Sequence, residues 1–112
     1  MVVKSFIDVY PRVGIAGSGS CIPPLRLTNK DLERMIETSD EWILNHVGIK
    51  ERSIAPEHYN IYTMGAAAAL EAIEDAHLKV KDIDAIIVGH NYTDEFTVPS
   101  AACIIQHLIG TT

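Results

Sequence analysis

Small and apolar residues gather in three stretches of the chain, residues 13–20, 64–70 and 85–88, with polar segments between them. The first, Val13-Gly14-Ile15-Ala16-Gly17-Ser18-Gly19-Ser20, predicts a buried strand whose glycines let neighbouring backbone come close. Pro23 and Pro24 break its continuation. Residues 28–37 predict a helix: Thr28 caps it, Asp31 sits in the first turn, and Leu32, Met35 and Ile36 share a face. Thr38-Ser39-Asp40-Glu41 matches a capping box and opens a second helix, with Asp40 and Glu41 at its positive end. That helix carries Trp42, Ile43 and His46 and stops at Gly48. Residues 49–59 are polar and turn-like around Pro56. Asn60 caps a longer helix over residues 61–77, whose small residues Gly65-Ala66-Ala67-Ala68-Ala69 predict burial between two layers. Gly65 costs that helix up to about 1 kcal/mol against alanine. After a polar link at 79–82, residues 83–89 predict a strand. Its Ala85-Ile86-Ile87-Val88 run is continuous, as expected when both sheet faces are covered. Pro99 or Ser100 opens a last helix through residue 109, with Gly110 as its C-cap.

Strand, two short helices, long helix, strand, helix is an α/β order, and strand–helix–strand at this spacing implies parallel strands with a right-handed crossover. Two strands do not make an independently stable sheet. The chain is therefore expected to be part of a larger α/β protein. Residues 1–10 fit either a further strand or a tail.

Composition narrows the function classes. Of 112 residues, 47% are hydrophobic and 21% charged, which excludes intrinsic disorder as a description of the whole. Fifteen acidic against nine basic residues give a net charge of −6. A basic nucleic-acid groove needs clustered Lys and Arg, and that balance argues against one. Cys21 and Cys103 make no disulfide framework and suit a reducing compartment. No signal peptide and no run near the ~18 apolar residues of a membrane span are evident. The expected location is cytoplasmic, with no membrane partner.

Each candidate for chemistry has a plainer reading beside it. Gly14, Gly17 and Gly19 invite a dinucleotide loop, but Ile22 stands where the third glycine of the pattern belongs, and Pro23 and Pro24 replace the following helix. Close packing of a strand is the better explanation. Cys103 and His107, four apart on a helix, share a face and form a candidate thiolate–imidazole pair. The favoured reading makes Cys103 a small buried filler. His46, His58, His77, His90 and His107 lack metal-ligand spacing, so no metal is assigned. His90 with Asp94 and Glu95 reads as a solvated loop. Glu71, Glu74 and Asp75 read as an exposed rim, and Lys50-Glu51-Arg52 as a solvated edge. Trp42, with His46 one turn later, is either a core anchor or a platform for a flat ring.

Several motifs go together. Gly17-Ser18-Gly19-Ser20 with Pro23, Thr38-Ser39-Asp40-Glu41-Trp42-Ile43, Val47-Gly48-Ile49-Lys50-Glu51-Arg52, Thr63-Met64-Gly65-Ala66-Ala67 and Pro99-Ser100-Ala101-Ala102-Cys103-Ile104-Ile105-Gln106 occur in order. Together they closely resemble the N-terminal part of β-ketoacyl-[acyl-carrier-protein] synthase III, from about residue 13 to residue 110. The Thr-Ser-Asp-Glu-Trp-Ile run is the most specific of them.

The resemblance implies a partial thiolase-like α/β domain, the first part of its N-terminal half, with mainly parallel strands and an Ala-rich buried helix. Residues 1–12 are then an N-terminal extension and residues 13–112 the incomplete domain. The implied reaction of the parent family is decarboxylative condensation of acyl-CoA with malonyl-acyl carrier protein, initiating fatty-acid synthesis. Acyl-CoA and acyl carrier protein are its partners, and the parent is a homodimer. Trp42 matches a tryptophan that stacks on the adenine of coenzyme A, and Thr38 a threonine near the same nucleotide. His46 falls where the family has an arginine near the phosphates; histidine lacks that bidentate fork. His77 stands where the family often has glycine. Tyr92, Asp94, Glu95 and Phe96 differ from the commonest family versions, so no acyl preference carries over. Cys103 matches a non-catalytic cysteine. No residue here matches the nucleophilic cysteine or its His and Asn partners, so no catalytic residue and no resident cofactor are assigned. The expectation is an inactive chain from an acyltransferase. Alternatives are a non-catalytic coenzyme A-binding or dimerisation module, or a piece of another thiolase-like enzyme such as a hydroxymethylglutaryl-CoA synthase relative.

Overall fold

The computed structural model describes residues 13–91 and 99–111. Its elements, in chain order, are β1 (Leu25–Thr28), α1 (Asn29–Glu33), α2 (Asp40–Val47), β2 (Glu51–Ile54), α3 (Ile61–Asp75), a 3-10 turn (Val80–Asp82) and α4 (Ala101–Ile109). β1 and β2 pair antiparallel, with Leu25 opposite Ile54 and Thr28 opposite Glu51. This sheet corrects two expectations. Residues 49–59 are not all turn, and the paired strands among the described residues are antiparallel rather than parallel. Four-residue strands with charged Arg26, Glu51 and Arg52 carry too little apolar signal to announce themselves. Their cross-strand contacts are polar: Arg26 donates to the Ser53 hydroxyl and pairs with Glu51 at 3.6 Å.

The helix boundaries follow their caps. Thr28 accepts from the Asp31 amide while the Asp31 carboxylate accepts from the Thr28 amide, which starts α1. α1 is shorter than the predicted 28–37, and Met35 and Ile36 are exposed. α2 begins one residue later than the expected capping box. Ser39, not Thr38, is the N-cap, and its hydroxyl accepts from the Trp42 amide at 3.1 Å. Gly48 closes α2 at φ 70°. Asn60 caps α3 as predicted and Gly110 ends α4 as predicted.

α3 and α4 pack against one another around Ala66, Ile105 and Ile109, joined by Ala69, Ile73, Val80, Ile86 and Val88. Gly65 is the point of closest approach. A Cβ there would stand 2.6 Å from Ile105 Cδ1, so this contact offsets the helix-propensity cost of the glycine. The Ala-rich helix is only partly covered: Ala66 is buried, whereas Ala67 and Leu70 are exposed.

The predicted strands at 13–20 and 83–89 are irregular backbone rather than strands, because a strand needs a hydrogen-bonded neighbour and none lies beside them among the described residues. Both nevertheless pack. Residues 17–20 lie across α3: Ser18 donates its amide to Asp75 Oδ2 at 2.9 Å, and Ser20 to Glu71 Oε2 at 2.7 Å. A Cβ at Gly17 would sit 2.5 Å from the Ala72 carbonyl oxygen, and one at Gly19 would collide with the Ala68 carbonyl. The close-approach reading of these glycines therefore holds, and Asp75 and Glu71 are anchors rather than a bare rim. In the second segment, Ile86 and Val88 face the helices while Ile87 is 95% exposed. One face is covered, not two. Residues 1–12 and the loop positions Tyr92, Asp94, Glu95 and Phe96 lie outside the described residues.

Candidate functional site

The site is built on the N-terminal end of α2. Ser39 caps the helix, and Glu33 accepts from the Asp40 amide at 2.7 Å. Asn29 holds this end from below. It is 1% exposed, and its side-chain amide donates to Asp40 Oδ1 at 2.7 Å and to the Ile49 carbonyl at 2.8 Å. Its Oδ1 accepts from Arg52 Nη2 at 2.8 Å, and its backbone amide donates to Lys50. Arg52 is thus part of a polar junction, not a solvated edge. Every hydrogen-bonding group of the Asn29 side chain is used, which is what makes its burial tolerable. Sequence reasoning missed Asn29. Its signal was an amide directly after the Thr28 cap, which reads as an ordinary first-turn residue.

Above that junction, Glu37, Thr38, Ser39 and Trp42 line an open cleft of about 260 Å³. Trp42 is 55% exposed, so it is not a core anchor; Ile43 beside it takes that place at 7%. The sequence alternatives for Trp42 thus resolve toward an accessible aromatic face. The structure brings Thr38 and Trp42 together in the cleft and sets His46 against Trp42, ring centroids 4.2 Å apart. Hydroxyls, one carboxylate and an indole face suit a flat ring with a hydrogen-bonding edge. The lining contains no cation for a phosphate.

The other candidates do not assemble. Cys103 is exposed, which corrects its assignment as a buried filler. Only its backbone and sulfur engage Ser100, whose hydroxyl donates to Sγ at 3.2 Å. His107 is exposed one turn on, and no hydrogen bond between them is present among the described residues. Among the described residues no three His, Cys, Asp or Glu side chains converge as a metal would require. No described helix is long and apolar enough to cross a membrane.

No family model matches the chain. Curated sequences do. A β-ketoacyl-[acyl-carrier-protein] synthase III of Campylobacter jejuni is 48% identical over 99 residues, covering 88% of this chain and 31% of that protein. The chain belongs to the β-ketoacyl-[acyl-carrier-protein] synthase III family. It spans about a third of the length of the curated relatives it matches. Solved structures agree. The 3-oxoacyl-[acyl-carrier-protein] synthase III of Aquifex aeolicus superposes with a TM-score of 0.78 at 43% identity, over 85% of this chain and 30% of that one. The priming β-ketosynthase of the R1128 polyketide pathway follows at 0.75 and 32%, over 84% and 28%. The fold is a partial thiolase-like α/β domain, as its synthase III neighbours have it.

Proposed function

We propose that this chain supplies the nucleotide-facing part of an acyltransferase that starts fatty-acid synthesis. In that reaction an acyl group passes from coenzyme A to a cysteine, and malonyl-acyl carrier protein is decarboxylated and condensed with it. The observation that carries the reading is the cleft itself: a half-exposed Trp42 beside Thr38 at the capped end of α2. Trp42 would stack on the adenine of coenzyme A, Thr38 would meet its polar edge, and His46 would back the indole. Coenzyme A titration followed by Trp42 emission tests this. Saturable quenching that vanishes in Trp42→Ala supports it, and no binding at millimolar ligand sinks it.

The chain alone is proposed to lack condensing activity. Nucleophilic catalysis needs a base within hydrogen-bond reach of the nucleophile. Cys103, the best-placed thiol, has Ser100 rather than an imidazole beside it. Malonyl-acyl carrier protein decarboxylation by the purified chain, abolished in Cys103→Ala, would refute the inactivity. A cytoplasmic, homodimeric parent fits the same reading.

A second reading, an assembly module, has its own observation. Val13, Ile15 and Ile87 are each more than nine-tenths exposed, and their burial would need a further surface.

A further inference from the structure

His46 lies flat on Trp42, its plane 19° from parallel. Its Nδ1 is 2.8 Å from the Trp42 carbonyl oxygen. A carbonyl only accepts, so Nδ1 carries the hydrogen and Nε2 is the nitrogen that takes up a proton. The imidazole is solvent-exposed, leaving Nε2 open to that proton. The charged groups of α2 and of the α1 region packed against it are mostly engaged elsewhere. Asp31 pairs with Arg34, Glu33 accepts from the Asp40 amide, and Asp40 accepts from Asn29. Lys30, Glu41, and the flanking Glu37 and Lys50 remain, and among the described residues none of them forms an ion pair with the ring.

Two consequences follow from this contact. One face of the indole is already occupied, so a ligand ring has a single face to stack on. Protonation at Nε2 turns a neutral ring stack into a cation–π contact, which holds the indole more firmly. It also sets a positive charge behind a cleft whose only charged lining group among the described residues is Glu37. We infer that His46 is a positioning residue for Trp42, and that stacking of an anionic, flat-ringed ligand at the cleft is coupled to protonation of this imidazole. The inference rests on the coenzyme A reading for the identity of that ligand.

Trp42 is the only tryptophan of the chain, so its emission reports the pair without any ligand. An imidazolium at stacking distance quenches indole fluorescence. Lowering the pH from about 8 to about 5.5, across the range where imidazoles take up a proton, is expected to dim the wild type. His46→Gln and His46→Phe should show flat profiles. A flat wild-type profile overturns the inference. Coenzyme A should bind about two- to five-fold tighter at the lower pH, the span of an exposed cation–π contact. His46→Phe, which keeps a flat ring behind Trp42 but has no proton to take up, should lose the pH response of coenzyme A binding. His46→Ala should bind more weakly at both pH values with an unchanged melting temperature. Binding that ignores pH in the wild type overturns the coupling and leaves the coenzyme A reading standing. No binding at either pH removes that reading and the coupling together.

Discussion

The Asn29 side-chain amide donates to the Asp40 carboxylate at 2.7 Å and thereby ties the start of α1 to the first turn of α2. The cleft inherits its geometry from this junction, since Thr38, Ser39 and Trp42 all lie within two residues of Asp40.

Asn29→Ala leaves the Ile49 carbonyl, Asp40 and Arg52 without their shared partner in a buried position. The expected cost is about 1–3 kcal/mol of stability. Urea unfolding measures it. A midpoint unchanged from wild type would mean the junction is replaced by water at no cost.

His77→Gly should stabilise the chain. His77 sits at φ 56°, in the left-handed position after α3, where its own amide bonds to Glu74 and the Leu78 amide reaches Ile73 at 3.0 Å. Both bonds belong to a Schellman ending, which favours glycine. The gain should be about 1 kcal/mol, reduced by the greater freedom of glycine in the unfolded chain. Thermal melting reads it as a raised midpoint.

Gly17→Ala and Gly19→Ala should each lift residues 17–20 away from α3, because the new Cβ meets helix backbone that has no room to yield. The loss should be about 1–3 kcal/mol, as for overpacked cores. Faster hydrogen exchange at Ser18 and Ser20 is the local signature.

Asp31 gives the acid limb of stability a specific contributor. The Thr28 hydroxyl first, then the Thr28 amide and the positive charge of Arg34, hold its carboxyl below the ordinary aspartate value of 3.8. A depressed folded value means that the contribution is present above the unfolded value and lost as pH falls through the folded one. The melting-point gap between wild type and Asp31→Asn should be constant above about pH 5 and should close below 3.8. A gap that widens in acid would contradict the assignment.

Ile87→Thr should reduce self-association, measured by sedimentation at rising concentration. Ile87 projects from the uncovered side of residues 83–89, where its burial would require another surface. Equal association in both chains would place the sticky face elsewhere.

Much of this was legible in the chain. The caps Thr28, Asn60, Gly48 and Gly110 announce helix ends because capping is local chemistry, readable within four residues. Thr38 and Trp42 of the Thr-Ser-Asp-Glu-Trp-Ile run both line the cleft. β1 and β2 were not legible, because four polar-rich residues acquire strand character only from their partner across the sheet. Asn29 was hidden for the same reason: three of its bonds reach residues 11 to 23 positions away. The apolar run at 83–89 signalled the packing of Ile86 and Val88 but not the exposure of Ile87, since a sequence pattern records what a surface prefers rather than what lies against it.

The docking of residues 17–20 on α3 also orders the steps of folding. Its two anchoring hydrogen bonds join residues 57 and 51 positions apart. Closing so long a loop is entropically slow, and the surface it closes onto exists only once α3 has wound. The helix, started by its own Asn60 cap, is therefore expected to form before the glycine segment docks on it.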